Sequence, residues 1–253
     1  MDLALQNKIV AITGCNGGIG VAATISFLKE GAKVVGLYRE SISKLSEIFT
    51  RISELGLNEK HFMPIEVDIN STTSIQEAIK KIIAEWGQID VLVNNAGATL
   101  ETPFLALNDD DFESIYVSNF SSLAKVSREV GKIMMRQKFG NIINVSSLVS
   151  ERFGRGVSVY AAMKAAVNRL TEVMALEMGK KNIRVNAVCP GVVETSMSNA
   201  LQERHGQMLI EQTPLRRFAS PEEVAHSILF LSSEATASFI TGSKLFIDGG
   251  IRL

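Results

Sequence analysis

Ile9-Val10-Ala11-Ile12-Thr13-Gly14-Cys15-Asn16-Gly17-Gly18-Ile19-Gly20 is the stretch on which the reading of this chain turns. Four apolar residues in a row, with no polar alternation, read as a strand buried on both faces, the habit of parallel sheets. The glycines then allow a tight turn, and a helical pattern follows over residues 18–30. A strand, a glycine-rich turn and a helix N-terminus in that order let backbone N–H groups approach a pyrophosphate. A glycine cluster by itself marks only a turn. Its place after the first strand of a βαβ unit gives it the dinucleotide reading.

Working outward, the same alternation continues along the chain. Apolar runs stand at Val34-Val35, Val91-Leu92-Val93, Ile142-Ile143-Asn144-Val145, Val185-Asn186-Ala187-Val188 and Leu245-Phe246-Ile247, with a weaker one over residues 62–67. Between them lie helical patterns over about residues 41–55, 71–86, 109–137, 157–178 and 221–233. The start of the last is well signed: Ser220 can cap it, Pro221 suits the first helical position and Glu223 completes a capping box. The pattern predicts one α/β domain over residues 1–253, a doubly wound, Rossmann-like parallel sheet of about seven strands with helices on both faces. Residues 192–219 hold no strand signal and are too long for an ordinary connection, which predicts a lid over a functional site.

Composition closes other routes. Apolar residues make up 46% of the 253, enough for a large core. Lysine and arginine number 26 against 27 acidic residues, so no basic surplus exists to hold nucleic acid. No apolar run of membrane length occurs. Cys15 and Cys189 stand far apart in no redox or metal spacing, and His61, His205 and His226 stand alone, so no metal is expected and a reducing compartment fits. The first residues lack the features of a secretory signal. The ending Ile251-Arg252-Leu253 is a weak echo of the peroxisomal Ser-Lys-Leu, with Ile251 a poor substitute for a small residue, so the cytoplasm is the expectation and the peroxisome the lesser alternative.

The spacing Thr13-Gly14-x-x-x-Gly18-x-Gly20 resembles the short-chain dehydrogenase/reductase family, in which Asn16 and Ile19 share the cofactor turn. The second strand ends Leu37-Tyr38-Arg39-Glu40, so Tyr38 stands where NAD enzymes of this fold place an acidic residue for the ribose 2′-hydroxyl. Arg39 follows, where its guanidinium could fork onto a 2′-phosphate; the alternative is a solvated cation paired with Glu40. NADP is therefore favoured over NAD. The resemblance further implies that Asp68 and Ile69 contact adenine, that Asn95-Ala96-Gly97 lies along the adenosine ribose, and that Pro190, Gly191, Val193 and Thr195 border the nicotinamide, with Thr195 anchoring its carboxamide. Asp68 could equally do no more than help start the helix near Ser71.

Tyr160 and Lys164 stand four apart on a predicted helix and so share a face. Together with Ser147, just past a buried strand, and Asn119, on the long fourth helix, they match the family's Asn-Ser-Tyr-Lys tetrad. Reducing a ketone takes a hydride from the cofactor and a proton to the oxygen. A phenol with an ordinary pKa near 10 is a poor acid/base at neutrality. A neighbouring ammonium, Lys164, stabilises phenolate and lowers that pKa. Lys164 would also hold the nicotinamide ribose, Ser147 would donate to the substrate oxygen as charge develops on it, and Asn119, by resemblance, would hold a water that resupplies protons.

Leu148, Val149, Phe153, Val192, Met197, Leu201, Met208 and Leu209 are candidates to line the substrate pocket, an apolar set unless they merely pack the core and lid. Lys138 and Lys181, near helix ends, stand where the similar 3-oxoacyl-carrier-protein reductases often meet an acidic carrier. The expected partner is a small carbonyl or alcohol, with no nucleic acid and no membrane. The family resemblance also implies a homo-oligomer, dimer or tetramer, through the fourth and fifth helices, where Ala161, Ala162, Ala165 and Ala166 permit close approach. The competing reading is a non-catalytic dinucleotide sensor or scaffold on the same fold.

Overall fold

Each apolar run becomes a strand: β1 (Ile9–Thr13), β2 (Lys33–Tyr38), β3 (Phe62–Glu66), β4 (Val91–Asn94), β5 (Gly140–Val145), β6 (Ile183–Pro190) and β7 (Lys244–Ile247). In the computed structural model, which describes residues 2–39, 45–152 and 154–253, they form one sheet in the order β3-β2-β1-β4-β5-β6-β7. Every pairing is parallel. The helices are α1 (Gly18–Lys29), α2 (Ser46–Glu54), α3 (Thr72–Trp86), α4 (Asp109–Tyr116), α5 (Ser122–Gln137), α6 (Ser158–Met178), α7 (Asn199–Gln212), α8 (Pro221–Ser232) and α9 (Glu234–Ala237).

Two cores flank the sheet because strand side chains alternate. Val10 and Ile12 of β1 point into one core with Val21 and Ile25 of α1, Ile48 and Ile52 of α2, and Ile228 of α8. Ile9 and Ala11 point into the other with Ile79 and Ile82 of α3, Val126 and Val130 of α5, and Ala175 of α6. Burying one such side chain is worth about 1.5–3 kcal/mol, so both faces of every central strand must be apolar, as the runs are. Local signals agree. Ser71 caps α3 by accepting from the Ser74 N–H, and Gly87 ends it in the left-handed region at φ 80°. Ser220 and Glu223 form the expected capping box at α8.

One expectation is corrected. The single helix expected over residues 109–137 is interrupted by a π turn at Val117–Ser121, between α4 and α5; its apolar spacing carries straight through the turn, so the pattern cannot show the break. The helix expected over 41–55 is seen as α2, and its first residues, 41–44, lie outside the described ones. The 192–219 stretch makes no strand, but Val193 and Ala219 form an isolated parallel bridge. The bridge draws the two ends of the stretch together, with α7 between them. Gly206 is the buried residue of α7, among the described ones, which is why no apolar periodicity announced the helix.

The order of strands reverses beside β1, whose neighbours are β2 and β4. Crossovers leave β1 in opposite directions there, and a crevice opens beyond the carboxyl ends of β1 and β4.

Candidate active site

The glycine turn closes one end of that crevice. Gly14 adopts φ 63°, and a Cβ on it would stand 3.0 Å from Ala96 Cα. The turn from β1 thus lies directly on the loop after β4. Thr13 Oγ1 accepts from the N–H groups of Asn95 and Ala96, both at 3.0 Å. Asn95 Nδ2 donates to the carbonyls of Thr13 at 3.1 Å and Gly14 at 2.9 Å. Thr13 and Asn95, both expected against the cofactor, join the two strand ends through these bonds, and Thr13 is buried. Adding a methyl in Gly14→Ala forces a left-handed backbone costing about 1–2 kcal/mol before any collision with Ala96. The expected result is a fall in Tm of roughly 2–8 °C, read by thermal denaturation; an unchanged Tm would contradict this account of the turn.

α1 starts at Gly18 with Gly17 as its N-cap and no side-chain cap bond. Its positive end therefore faces the crevice with no capping side chain hydrogen-bonded to it. A Cβ on Gly18 would stand 2.5 Å from Thr195 Cγ2, so the loop after β6 reaches the glycine turn. Asn16 and Ile19 are partly exposed on the turn. These features, a bare helix end and a cradle that a Cβ would fill, suit a dinucleotide pyrophosphate. Tyr38 ends β2 and is buried, with its phenol pushed up by burial and by Glu66 beside it. Arg39 is exposed just past it.

Asp68 is exposed and Ile69 partly so. The Asp68 carboxylate accepts from the Asn70 N–H at 2.9 Å, its carbonyl accepts from the Ser71 N–H at 3.0 Å and its N–H donates to Ser74 Oγ at 3.1 Å, so Asp68 does help start α3, with Ser71 as the cap. On the far side, Pro190 ends β6, and a Cβ on Gly191 would stand 3.0 Å from Asp248 Cα. Val193 is buried in the bridge to Ala219.

The four tetrad residues come from three segments and meet beyond β4 and β5. Ser147 follows β5 and caps a short 3-10 turn, Leu148–Ser150. Tyr160, on α6, has Ser147 as the polar side chain that acts on its phenol. Lys164, one turn on, is 4% exposed. Its Nζ donates to the Val145 carbonyl at 2.9 Å and stands 5.6 Å from the Tyr160 ring centroid. Asn119 sits in the π turn, donating to the Ala98 carbonyl at 2.8 Å and the Ile115 carbonyl at 3.0 Å. A Cβ on Gly97 would be 2.8 Å from Asn119 Oδ1 and 3.6 Å from Lys164 Nζ, so the glycine keeps space open between those two groups.

Burial dominates the electrostatics. It pushes the Lys164 ammonium down to about 8. It also pushes the Tyr160 phenol above its ordinary value, opposed by the hydrogen bond with Ser147. In the protein alone desolvation is the larger effect on the phenol and Ser147 the opposing one.

Reasoning from the sequence missed a polar cluster behind Ser147. Asn168, a further turn along α6, donates to Ser150 Oγ at 2.8 Å, and Ser150 Oγ donates to the Ser147 carbonyl at 2.6 Å. The Cys189 thiol donates to Asn168 Oδ1 across 3.7 Å.

The 192–219 segment is fastened lightly. Arg204 of α7 pairs with Glu101 at 3.2 Å, and Arg152 donates to Gln212 at 2.8 Å. Of the expected pocket residues, Leu148 is buried, whereas Met197 is 52% and Met208 48% exposed. Val149, Val192, Leu201 and Leu209 are partly exposed, and Phe153 lies outside the described residues. A cavity of about 450 Å³ lies under the base of this segment, between Val192, Phe218 and Phe246; no tetrad residue lines it. Lys138 and Lys181 are exposed, the first at the end of α5 and the second in the 3-10 turn after α6. No helix among the described residues is long and apolar enough to cross a membrane.

Residues 14–252 match the family model described as enoyl-(acyl carrier protein) reductase. A 3-oxoacyl-(acyl-carrier-protein) reductase FabG of Thermotoga maritima is 36% identical, the alignment covering 98% of this chain and 99% of that one. Among solved structures, a short-chain type dehydrogenase/reductase from Mycobacterium marinum superposes with a TM-score of 0.92 at 30% identity, covering 99% of this chain and 97% of that one. A gluconate 5-dehydrogenase from Burkholderia cenocepacia, solved with NADP and tartrate, gives 0.91 at 30% identity with the same coverage.

Proposed function

Because the chain belongs to the short-chain dehydrogenase/reductase family of oxidoreductases, we propose that it moves a hydride between NADP(H) and a ketone or secondary alcohol, with Tyr160 as the acid/base. The carrying observation is the buried Lys164 ammonium beside the Tyr160 ring on one face of α6, held there by the Val145 carbonyl, with Ser147 the side chain that acts on the phenol.

NADP(H), when bound, supplies or takes up the hydride. The chain does the rest. The turn of Gly14, Asn16, Gly18, Ile19 and Gly20 would hold the pyrophosphate, and Asp68, Ile69, Asn95, Ala96 and Gly97 would border the adenosine. Pro190, Gly191, Val193 and Thr195 would border the nicotinamide. In reduction Tyr160 gives its proton to the substrate oxygen, and in oxidation it takes that proton back. Ser147 donates to the same oxygen as negative charge builds there. Lys164 favours the phenolate once Tyr160 has given up its proton, and holds the ribose hydroxyls. Asn119, tied to the Ala98 backbone, lines the route by which Lys164 meets solvent.

Arg39 selects NADP by forking onto the 2′-phosphate, and the NADP bound in the gluconate 5-dehydrogenase neighbour supports this choice. Arg39→Ala is expected to weaken NADPH binding at least tenfold while leaving NADH within about twofold, a charge-assisted contact being worth roughly 1.5–3 kcal/mol. Equal losses for both cofactors, measured by fluorescence titration, would overturn the assignment.

A 3-oxoacyl thioester is the substrate class best supported, from the FabG relatives and from exposed Lys138 and Lys181, which suit an acidic carrier. Residues 192–219 act as the lid, and residues 1–253 as one domain. The exposed face of α6 carries Ala162, Ala165, Val173 and Leu176, the last 80% exposed, with Arg169 among them paired to Glu172; small and apolar residues on this face support a homo-oligomer. The direct test is a panel of 3-oxoacyl thioesters, ketones and secondary alcohols with NADPH and NADH, followed by nicotinamide absorbance. Tight cofactor binding with no turnover on any of them would favour the sensor reading.

A further inference from the structure

The helix that carries Tyr160 also grips the turn that carries Ser147. Tyr160, Lys164 and Asn168 recur every four residues along α6, and so share one face. Asn168 is 5% exposed, and its amide is used at both ends. Nδ2 donates to Ser150 Oγ at 2.8 Å, and Oδ1 accepts from the Cys189 thiol across 3.7 Å. Ser150 Oγ in turn donates to the Ser147 carbonyl at 2.6 Å, beside the Ser150 N–H, which donates to the same carbonyl at 3.1 Å. Donors and acceptors run one way: thiol, amide, hydroxyl, carbonyl. The carbonyl end sets the direction, because a carbonyl can only accept: Ser150 Oγ donates to it and so accepts from Asn168 Nδ2, which leaves Oδ1 to the thiol.

We propose that Asn168 is a positioning residue for the reaction: through Ser150 it clamps the Ser147 turn to α6, and so holds the Ser147 hydroxyl against the Tyr160 phenol. The proposal rests on the roles given above to Ser147 and Tyr160. On the near side the chain is already held, Ser146 donating its N–H to the Val188 carbonyl at 2.8 Å and its hydroxyl to the Lys164 carbonyl at 3.1 Å; Asn168 and Ser150 fasten the far side of Ser147, which is extended at φ −162° and ψ 157°. A displacement of a fraction of an ångström at a reacting group is enough to cost rate. Burial pushes the Cys189 thiol up to about 11, which keeps its proton in place as the first donor.

The test compares Asn168→Leu, Ser150→Ala and Ser150→Thr with Ser147→Ala and Tyr160→Phe. Asn168→Leu and Ser150→Ala are expected to lower kcat about tenfold with cofactor Kd changed less than twofold. Ser150→Thr keeps the hydroxyl and is expected to stay within about twofold of the parent. The pH profile of alcohol oxidation supplies the readout that a loss of packing would not move. The Ser147 bond lowers the phenol's pKa, so loosening it raises that pKa and shifts the rise of activity to higher pH. Asn168→Leu and Ser150→Ala should shift it in the same direction as Ser147→Ala. If Asn168→Leu does not fold, the two Ser150 variants decide. Unmoved kcat and pH profile in Ser150→Ala, or equal losses in Ser150→Ala and Ser150→Thr, would overturn the clamp. Full activity in Ser147→Ala and Tyr160→Phe would instead remove the reading on which it rests.

Discussion

Tyr160→Phe is expected to lower kcat by roughly 10²–10⁴-fold, the range lost with a positioned general acid/base, while cofactor affinity stays within about twofold of wild type. The substitution removes one oxygen and leaves the ring volume in place, so fold and cofactor contacts should survive. What disappears is the proton within reach of the reacting oxygen. Ser147 cannot replace it, because a hydroxyl of ordinary pKa can stabilise developing charge but gives up its proton far less readily. The pH dependence of the wild type has a definite sign. Reduction needs the protonated phenol and must fall as pH rises through its pKa, while oxidation needs phenolate and must rise. Burial raises that pKa in the protein alone, so the acid form is the resting one at neutrality. Turnover of the variant within about tenfold of wild type, measured under saturating cofactor, would remove Tyr160 from this role.

Lys164→Met should cost activity by a similar factor yet leave stability unchanged or improved. Burial lowers the ammonium from 10.5 to about 8, equivalent to a folding cost of about 3 kcal/mol. Below pH 8 both folded and unfolded chains hold the proton, so the full cost is present there. Between the two values the unfolded chain binds more protons, and wild-type stability therefore climbs with pH across this window. Methionine fills similar volume without the charge, but leaves the Val145 carbonyl without its donor, a loss of about 1–3 kcal/mol. The two effects nearly cancel or favour the variant. At pH 7 its Tm is expected at or above that of wild type, and wild type should gain on it as pH rises from about 8 toward 10.5. A Tm several degrees lower at pH 7, or parallel Tm profiles, would show that the charge is not held at this cost. Such a residue, kept despite its cost to folding, is where function outweighs stability.

The sheet was legible because each strand is buried on both faces, and nothing but a run of apolar residues can fill such a place. Ile9 to Ile12 and Ile142 to Val145 announce themselves in that way. The helix α7 did not, because it turns almost no side chain inward and packing left no mark on its pattern. The π turn around Asn119 was hidden for the opposite reason: apolar spacing runs across it, and what changes is the backbone ladder. The tetrad could be read from residue type and spacing through its likeness to a family, and the structure sets Lys164 beside the Tyr160 ring, with Ser147 acting on its phenol. Thr13 and Asn95 have a part that their types did not announce: their hydrogen bonds join the ends of β1 and β4. Ser150, Asn168 and Cys189 carry no spacing at all, since they come from three separate segments and meet only in the folded chain.

The parallel bridge between Val193 and Ala219 has an evolutionary corollary. Since the two ends of the intervening segment already lie side by side, its length enters the folding free energy only through a slowly growing logarithm. The α7 portion, 199–212, can be lengthened, shortened or grafted from a cousin as a cassette, with the sheet and Thr195 against the glycine turn left as they stand. Divergence in what such enzymes accept would then collect in this insert first.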